Sequence, residues 1–114
     1  MEKSLAVSST TLLLLKLLEE QDLYGYQMIE ALAARSDHTF ELKAGTLYPL
    51  LKGLEEKGFL TSYKQATKEN RTRKYYHLTQ AGHTALQQKR AEWEEFSAAV
   101  NQVLKGGKQH VCLG

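Results

Sequence analysis

The sequence contains a single cysteine and a single proline in 114 residues. Cys112 stands near the C-terminus, after Gly106 and Gly107, and has no second cysteine with which to form a disulfide within the chain. Because chains without a disulfide framework are typical of reducing compartments, we expect a cytoplasmic protein. The four histidines do not have the spacing of metal ligands. The sequence also contains no Ser-His-Asp, Cys-His or Gly-rich phosphate-binding pattern. We therefore expect no metal, no cofactor and no enzymatic activity.

Long hydrophobic runs are also lacking. The most apolar stretch, residues 12–18, is interrupted by Lys16 and followed by Glu19 and Glu20. It is far shorter than the roughly 20 residues that span a bilayer, so we interpret it as a core helix and as neither a signal peptide nor a membrane anchor. With 42% hydrophobic and 25% charged residues, the chain has the composition of one small globular unit.

The net charge is only +2, but it is unevenly distributed. Residues 59–77 contain five basic side chains against Glu69 alone. These are Lys64, Lys68, Arg71, Arg73 and Lys74. A local positive excess on a nearly neutral chain indicates an edge that binds a polyanion, although a solvated run of charges is the alternative.

Glycines and polar turns divide the chain into helices and a hairpin. Helices are predicted over about 7–21, 24–35, 45–57 and 80–104, and extended segments over 39–42, 59–67 and 71–78. Asp22 and Thr79 are candidate caps of the second and last helices, and Gly58 ends the third. This order predicts a mainly α fold with a small β-hairpin wing (α+β), a winged helix-turn-helix followed by a long C-terminal dimerisation helix. We assign residues 1–78 to a DNA-binding domain, 79–105 to the dimerisation helix and 106–114 to a flexible tail.

The third predicted helix has one apolar and one polar face. The apolar face consists of Leu47, Leu50, Leu51 and Leu54, and the opposite face carries Gly45, Tyr48, Pro49, Lys52 and Glu56. Because Pro49 has no amide hydrogen, we predict that the helix begins at about Gly45 or Thr46 and that Pro49 lies in its first turn. Tyr48 either contacts DNA from this face or packs beneath the wing.

Three stretches resemble the PadR family of transcriptional regulators: YGYQMIEAL from Tyr24, GTLYPLLKGLEEKGFL from Gly45 and RKYYHLTQAG from Arg73. The resemblance implies a bacterial winged-helix repressor of the small subfamily, which binds an inverted-repeat operator as a homodimer. Three features depart from the family pattern. Lys43 and Ala44 replace a frequent Ser-Pro pair, which moves the predicted helix cap to Thr46, and both Gly53 and His77 stand where basic residues are common.

Two groups of side chains are expected to contact double-stranded DNA. The third helix and its start contribute Lys43, Gly45, Thr46, Tyr48 and Lys52, and the wing contributes Lys64, Lys68, Arg71, Arg73 and Lys74. Contacts of the wing with phosphates supply affinity rather than sequence choice. The alternative is a winged-helix protein-interaction module without DNA binding, whose wing would be acidic or apolar.

The last predicted helix repeats apolar residues at heptad spacing, and Lys89 interrupts the pattern. The first helix is apolar nearly all round, so we expect one of its sides to face another subunit as well. The predicted homodimer interface consists of Leu12, Leu86, Trp93, Phe96, Val100 and Val103.

Trp93 and Phe96 resemble the aromatics of multidrug-responsive PadR-like repressors, which implies that a flat hydrophobic or aromatic effector binds between paired tryptophans. The expected pocket consists of Ala6, Thr10, Lys89, Trp93, Phe96 and Ser97. In the alternative, the interface is closed and Trp93 belongs to its core.

Overall fold

A computed structural model describes the backbone of residues 2–106 and the side chains of residues 9–106. The elements are α1 (Glu2–Glu20), β1 (Leu23–Tyr24), α2 (Gly25–Arg35), α3 (Ala44–Glu56), β2 (Leu60–Ala66), β3 (Thr72–Leu78) and α4 (Gln80–Leu104). The strands form one antiparallel sheet in the order β1-β3-β2, in which β2 and β3 are the wing. The predicted fold class, mainly helical with a small wing and a long last helix, is confirmed. Within the described residues, no helix is long and apolar enough to cross a membrane.

Helix α1 is the centre of the hydrophobic core. Leu14 and Leu15 are completely buried, and α1 packs against α2, β3 and α4. Its almost continuous apolar circumference is therefore largely covered within one copy of the chain. Leu12 and Leu13 are partly exposed. These two residues leave one apolar side of α1 accessible near the middle of the helix.

Strand β1 is formed by other residues than those that the sequence predicts to be extended. Residues 39–42 form no strand, so the predicted extended segment there is wrong, and Leu23 and Tyr24 pair with Tyr76 and Tyr75 of β3 instead. Residues 39–42 follow two residues with left-handed backbone, Asp37 and His38, which turn the chain. A two-residue strand has no recognisable pattern of its own, because it forms only where a neighbouring strand offers an edge.

Helix α3 begins earlier than predicted. The carbonyl oxygen of Lys43 accepts hydrogen bonds from the amides of Thr46 and Leu47, each 2.9 Å long, so Lys43 is the N-cap and the predicted cap at Thr46 is wrong. Pro49 lies inside the helix and not in its first turn. Because proline has no amide hydrogen, the carbonyl group of Gly45 lacks its usual helical donor.

The junction between the wing and α4 is tightly closed. Gly58 has a φ of 81° and ends α3 in the left-handed region, as predicted. The predicted cap of α4 is confirmed, because Thr79 Oγ1 accepts a hydrogen bond from the amide of Gly82 (3.0 Å). The same hydroxyl donates to the carbonyl oxygen of Gly58 (2.7 Å). One side chain thus connects the end of α3, the end of the wing and the start of α4.

Candidate nucleic-acid interface

The outer face of α3 is open, as the sequence predicts. Leu47 and Leu51 are completely buried, whereas the opposite face is exposed. The exposed residues are Lys43, Gly45, Thr46, Tyr48, Pro49, Lys52 and Glu56. The amides at the start of a helix attract phosphate groups. This face can therefore present hydroxyls, amides and two lysines to a groove of DNA.

Tyr48 is anchored at one end and exposed at the other. Its hydroxyl packs against Gly25, the first residue of α2, so closely that a Cβ atom at Gly25 would lie within 3.0 Å of it. The side chain is nevertheless 47% exposed. Because Gly25 has no side chain, the Tyr48 ring can pack closely against the start of α2. Its exposed part remains accessible from the α3 face.

The wing is a regular hairpin with a basic tip. Its turn is closed by the amide of Thr67, which donates to the carbonyl oxygen of Arg71 (2.7 Å), and Asn70 takes the left-handed conformation that the turn requires. Lys64, Lys68 and Arg71 are exposed, and none of them has a carboxylate partner within 4.0 Å among the described side chains. These three cations are free to meet phosphates.

The other two predicted wing contacts are held within the domain. Lys74 Nζ lies 3.8 Å from Glu55 Oε1 of α3 and 5.4 Å from the centre of the Tyr76 ring. The Arg73 guanidinium lies 5.2 Å from the centre of the Tyr24 ring, and its Nε is buried without a hydrogen-bond partner. Alternation along β3 places Arg73 and Lys74 on opposite faces of the sheet. The structure therefore does not group Arg73 with the free cations.

Sequence reasoning missed the carboxylate of Asp22. Instead of capping α2, where Tyr24 is the N-cap, Asp22 accepts hydrogen bonds from Tyr63 Oη (2.7 Å) and His77 Nδ1 (2.9 Å). Burial alone would raise the pKa of Asp22, but these two hydrogen bonds outweigh it and lower the pKa below its usual value. The same contact raises the pKa of the Tyr63 hydroxyl. No local pattern indicates these partners, because they lie 41 and 55 residues away along the chain.

The predicted apolar seam of α4 is divided between the core and the surface. Leu86 is 1% exposed and belongs to the core of its own copy. Trp93, Phe96 and Val100 are 39% to 45% exposed, and Val103 is 80% exposed. The exposed part therefore forms a continuous apolar stripe on the outer half of α4.

A groove of about 410 Å³ lies between α1 and α4, beside Trp93. Its lining residues are Ser9, Leu12, Leu13, Lys16, Phe40, Leu86, Arg90, Trp93 and Glu94. Of the residues predicted to form the effector pocket, Trp93 lines this groove. Thr10, Lys89, Phe96 and Ser97 are not among the lining residues, and the side chain of Ala6 lies outside the described residues.

Sequence reasoning also missed Phe40, which reaches the groove from the loop after α2. The charged side chains of the lining form ion pairs: Lys16 Nζ lies 2.9 Å from Glu19 Oε1, and Arg90 Nε lies 3.7 Å from Glu94 Oε2. The lining of the groove is otherwise mainly apolar and aromatic.

Comparison with known proteins identifies one family. Residues 14–88 match the family described as "Transcriptional regulator PadR-like family". The transcriptional regulator Rv3488 of Mycobacterium tuberculosis is 38% identical over 77 residues, which cover 68% of this chain and 67% of the relative. The crystal structure of a PadR family transcription regulator from Clostridium difficile R20291 aligns with a TM-score of 0.72 and 36% identity, covering 83% of this chain and 97% of that one. A PadR-like transcriptional regulator from Bacillus cereus aligns with a TM-score of 0.76 and 25% identity, covering 94% of this chain and 98% of that one.

Proposed function

Because the chain belongs to the PadR-like family of transcriptional regulators, which are not enzymes, we propose that it is a cytoplasmic repressor that binds an inverted-repeat operator as a homodimer. The observation that carries this proposal is the presence of three exposed, unpaired cations, Lys64, Lys68 and Arg71, on a wing that contacts α3 through Glu55. A helix for the major groove and a basic hairpin for the adjacent backbone are the two parts that a winged-helix protein needs to bind DNA.

In this proposal α3 enters the major groove. Thr46 and Tyr48 offer hydroxyls to base edges or phosphates, and Lys52 reaches the backbone one turn later. At the wing tip, Lys68 and Arg71 contact the neighbouring phosphates of the DNA backbone. Lys74 and Arg73 contribute less than their charge suggests, because Glu55 and the Tyr24 ring already hold them. The α3 face therefore selects the sequence, and the wing adds affinity.

Selection of bound duplexes from random DNA tests the function itself. The expected result is a palindrome whose half-sites lie about one helical turn apart, because a twofold symmetric dimer presents two copies of α3 in that arrangement. A protein-interaction module would instead show no salt-dependent binding to DNA, and that result would contradict the proposed function.

Replacing Lys68 or Arg71 with alanine is expected to weaken binding to every duplex alike. Each lost phosphate contact should make the plot of log affinity against log salt concentration shallower by about one unit. Fluorescence anisotropy at several potassium chloride concentrations, with the selected operator and an unrelated duplex, measures both effects. Lys105→Ala removes an equal charge beyond the end of α4 and is the matched control. Slopes as steep as that of the unchanged protein would show that the wing tip does not contact phosphates.

The homodimer is supported by the exposed stripe of α4. Large apolar side chains at 39% to 80% exposure are unusual over so long a stretch of a soluble monomer, and the partly exposed Leu12 and Leu13 of α1 line the same groove as Trp93. A second copy covers such a stripe when two α4 helices pack side by side around a twofold axis. The stripe then becomes the centre of the interface.

The groove beside Trp93 is the proposed site of a flat hydrophobic or aromatic effector, whose binding releases the operator. Its lining is mainly apolar and aromatic, and the ring of Trp93, which lines it, lies 6.0 Å from the ring of Phe96. In a dimer, the same groove of the partner brings a second indole to the interface. Two symmetry-related rings can hold a planar molecule by stacking on both of its sides.

Trp93→Ala is expected to weaken the binding of a planar aromatic probe, riboflavin, by about tenfold or more, because stacking and apolar burial are lost together. Isothermal titration calorimetry measures the affinity, and sedimentation checks that the variant remains dimeric. Trp93→Phe keeps a flat ring and should retain part of the affinity. Equal affinities of the alanine variant and the unchanged protein would disprove this pocket and favour a closed interface.

A further inference from the structure

The wing is held from both of its faces by two carboxylates. On the face towards α3, Ser62 Oγ donates a 2.6 Å hydrogen bond to Glu55, which also meets Lys74. On the outer face, Asp22 accepts from Tyr63 of β2 and His77 of β3. Ser62 and Tyr63 are neighbours in β2, so Glu55 and Asp22 bind the hairpin at adjacent positions on its opposite faces.

On the outer face, the contacts of Asp22 are continued by a row of packed aromatic rings. The Tyr63 ring stacks on Tyr75 (centroids 5.6 Å apart, planes at 11°), and Tyr75 meets the edge of Tyr24 (5.3 Å, 82°). Tyr24 is the N-cap of α2 and carries the guanidinium of Arg73 above its ring. Asp22 therefore joins a packed layer that connects the wing with the start of α2, rather than forming an isolated surface pair.

Beyond this level the hairpin has little support. Strand β1 pairs only with Tyr75 and Tyr76, and the following residues of the wing are mostly exposed up to the tip. Lys68 lies in the turn that follows β2, roughly 14 Å from Tyr63 at the rise of an extended strand. A tilt of about 10° at the base would thus displace the tip by roughly 2 Å, which is enough to break a hydrogen bond to a phosphate. The direction of the tip is decided where Asp22 and Glu55 hold the base.

We propose that Asp22 is a positioning residue for DNA binding, which holds both strands of the wing and thereby sets the distance between the wing tip and α3. This inference rests on the proposed function. It also makes a prediction opposite to that of simple electrostatics, because Asp22 is negatively charged and the proposed ligand, DNA, is a polyanion. Simple electrostatics predicts that removing its charge strengthens DNA binding, whereas a positioning role predicts that binding becomes weaker.

The test compares Asp22→Asn with Asp37→Asn, since both substitutions remove one negative charge and Asp37 lies in the exposed turn after α2. Asp22→Asn is expected to weaken DNA binding by about threefold to tenfold and to make the salt dependence shallower, as one or two phosphate contacts are lost. Asp37→Asn should bind as tightly as the unchanged protein or slightly more tightly. Tyr63→Phe, which removes one partner of Asp22 without changing the charge, should act in the same direction as Asp22→Asn.

A second arm separates positioning from general destabilisation. In a background that already contains Lys68→Ala and Arg71→Ala, Asp22→Asn should have little further effect on affinity, because the contacts that it positions are gone. The inference is overturned if Asp22→Asn binds as tightly as the unchanged protein or more tightly, or if its effect is undiminished in that background. Failure of the unchanged protein to bind any duplex would overturn the proposed function, and the positioning role with it.

Discussion

Val100→Asp is expected to convert the proposed homodimer into monomers and to weaken binding to an inverted-repeat operator by about 100-fold or more. Val100 is 39% exposed and lies on the apolar stripe of α4, between Phe96 and Val103. At the centre of a dimer interface, an aspartate would have to lose its hydration without gaining a partner. Two monomers would then bind their half-sites independently, without the high effective concentration that a dimer provides.

Sedimentation velocity at micromolar concentration measures the change in mass, and anisotropy with the operator measures the affinity. Gln102→Asp is the matched control, because it adds the same charge in the same turns of α4 at a position two residues away, on the opposite face of the helix. That variant should remain dimeric and bind the operator normally. A dimeric Val100→Asp protein with unchanged affinity would show that the stripe is not the interface.

Gly82→Ala is expected to lower the free energy of unfolding by about 3 kcal/mol and the melting temperature by roughly 10 °C. A Cβ atom at Gly82 would lie within 3.0 Å of the Phe59 carbonyl oxygen and of a methyl group of Leu78. The carbonyl oxygen belongs to the backbone and accepts a hydrogen bond from Thr79, so it cannot move aside without disturbing the cap of α4. The clash should exceed the roughly 1 kcal/mol that alanine gains over glycine in a helix.

The control for this prediction is the same substitution in α3. Nothing lies within 4 Å of a Cβ atom at Gly53, so Gly53→Ala should raise the stability by up to about 1 kcal/mol through helix propensity alone. Thermal unfolding followed by circular dichroism measures both variants. If Gly82→Ala melted at the same temperature as Gly53→Ala, the close packing of α4 on the base of the wing would not limit stability.

Features with local causes could be predicted from the sequence. Thr79 caps α4 with its own hydroxyl, and Gly58 ends α3 because glycine adopts positive φ without strain, so both follow from residue type and position. The periodicity of leucines in α3 likewise identifies its buried face, and the basic tip follows from Lys68 and Arg71. The family resemblance agrees with these features, since residues 14–88 run from the C-terminal part of α1 to the start of α4 and contain α2, α3 and all three strands.

The tertiary structure alone decided how those parts meet. Strand β1 exists because β3 offers an edge to Leu23 and Tyr24. Asp22 finds Tyr63 and His77 across 41 and 55 residues of chain. Local chemistry determined the four helices, the hairpin and the position of the positive charge. Contacts between distant residues, which no sequence spacing encodes, decided how firmly the wing is held beside α3.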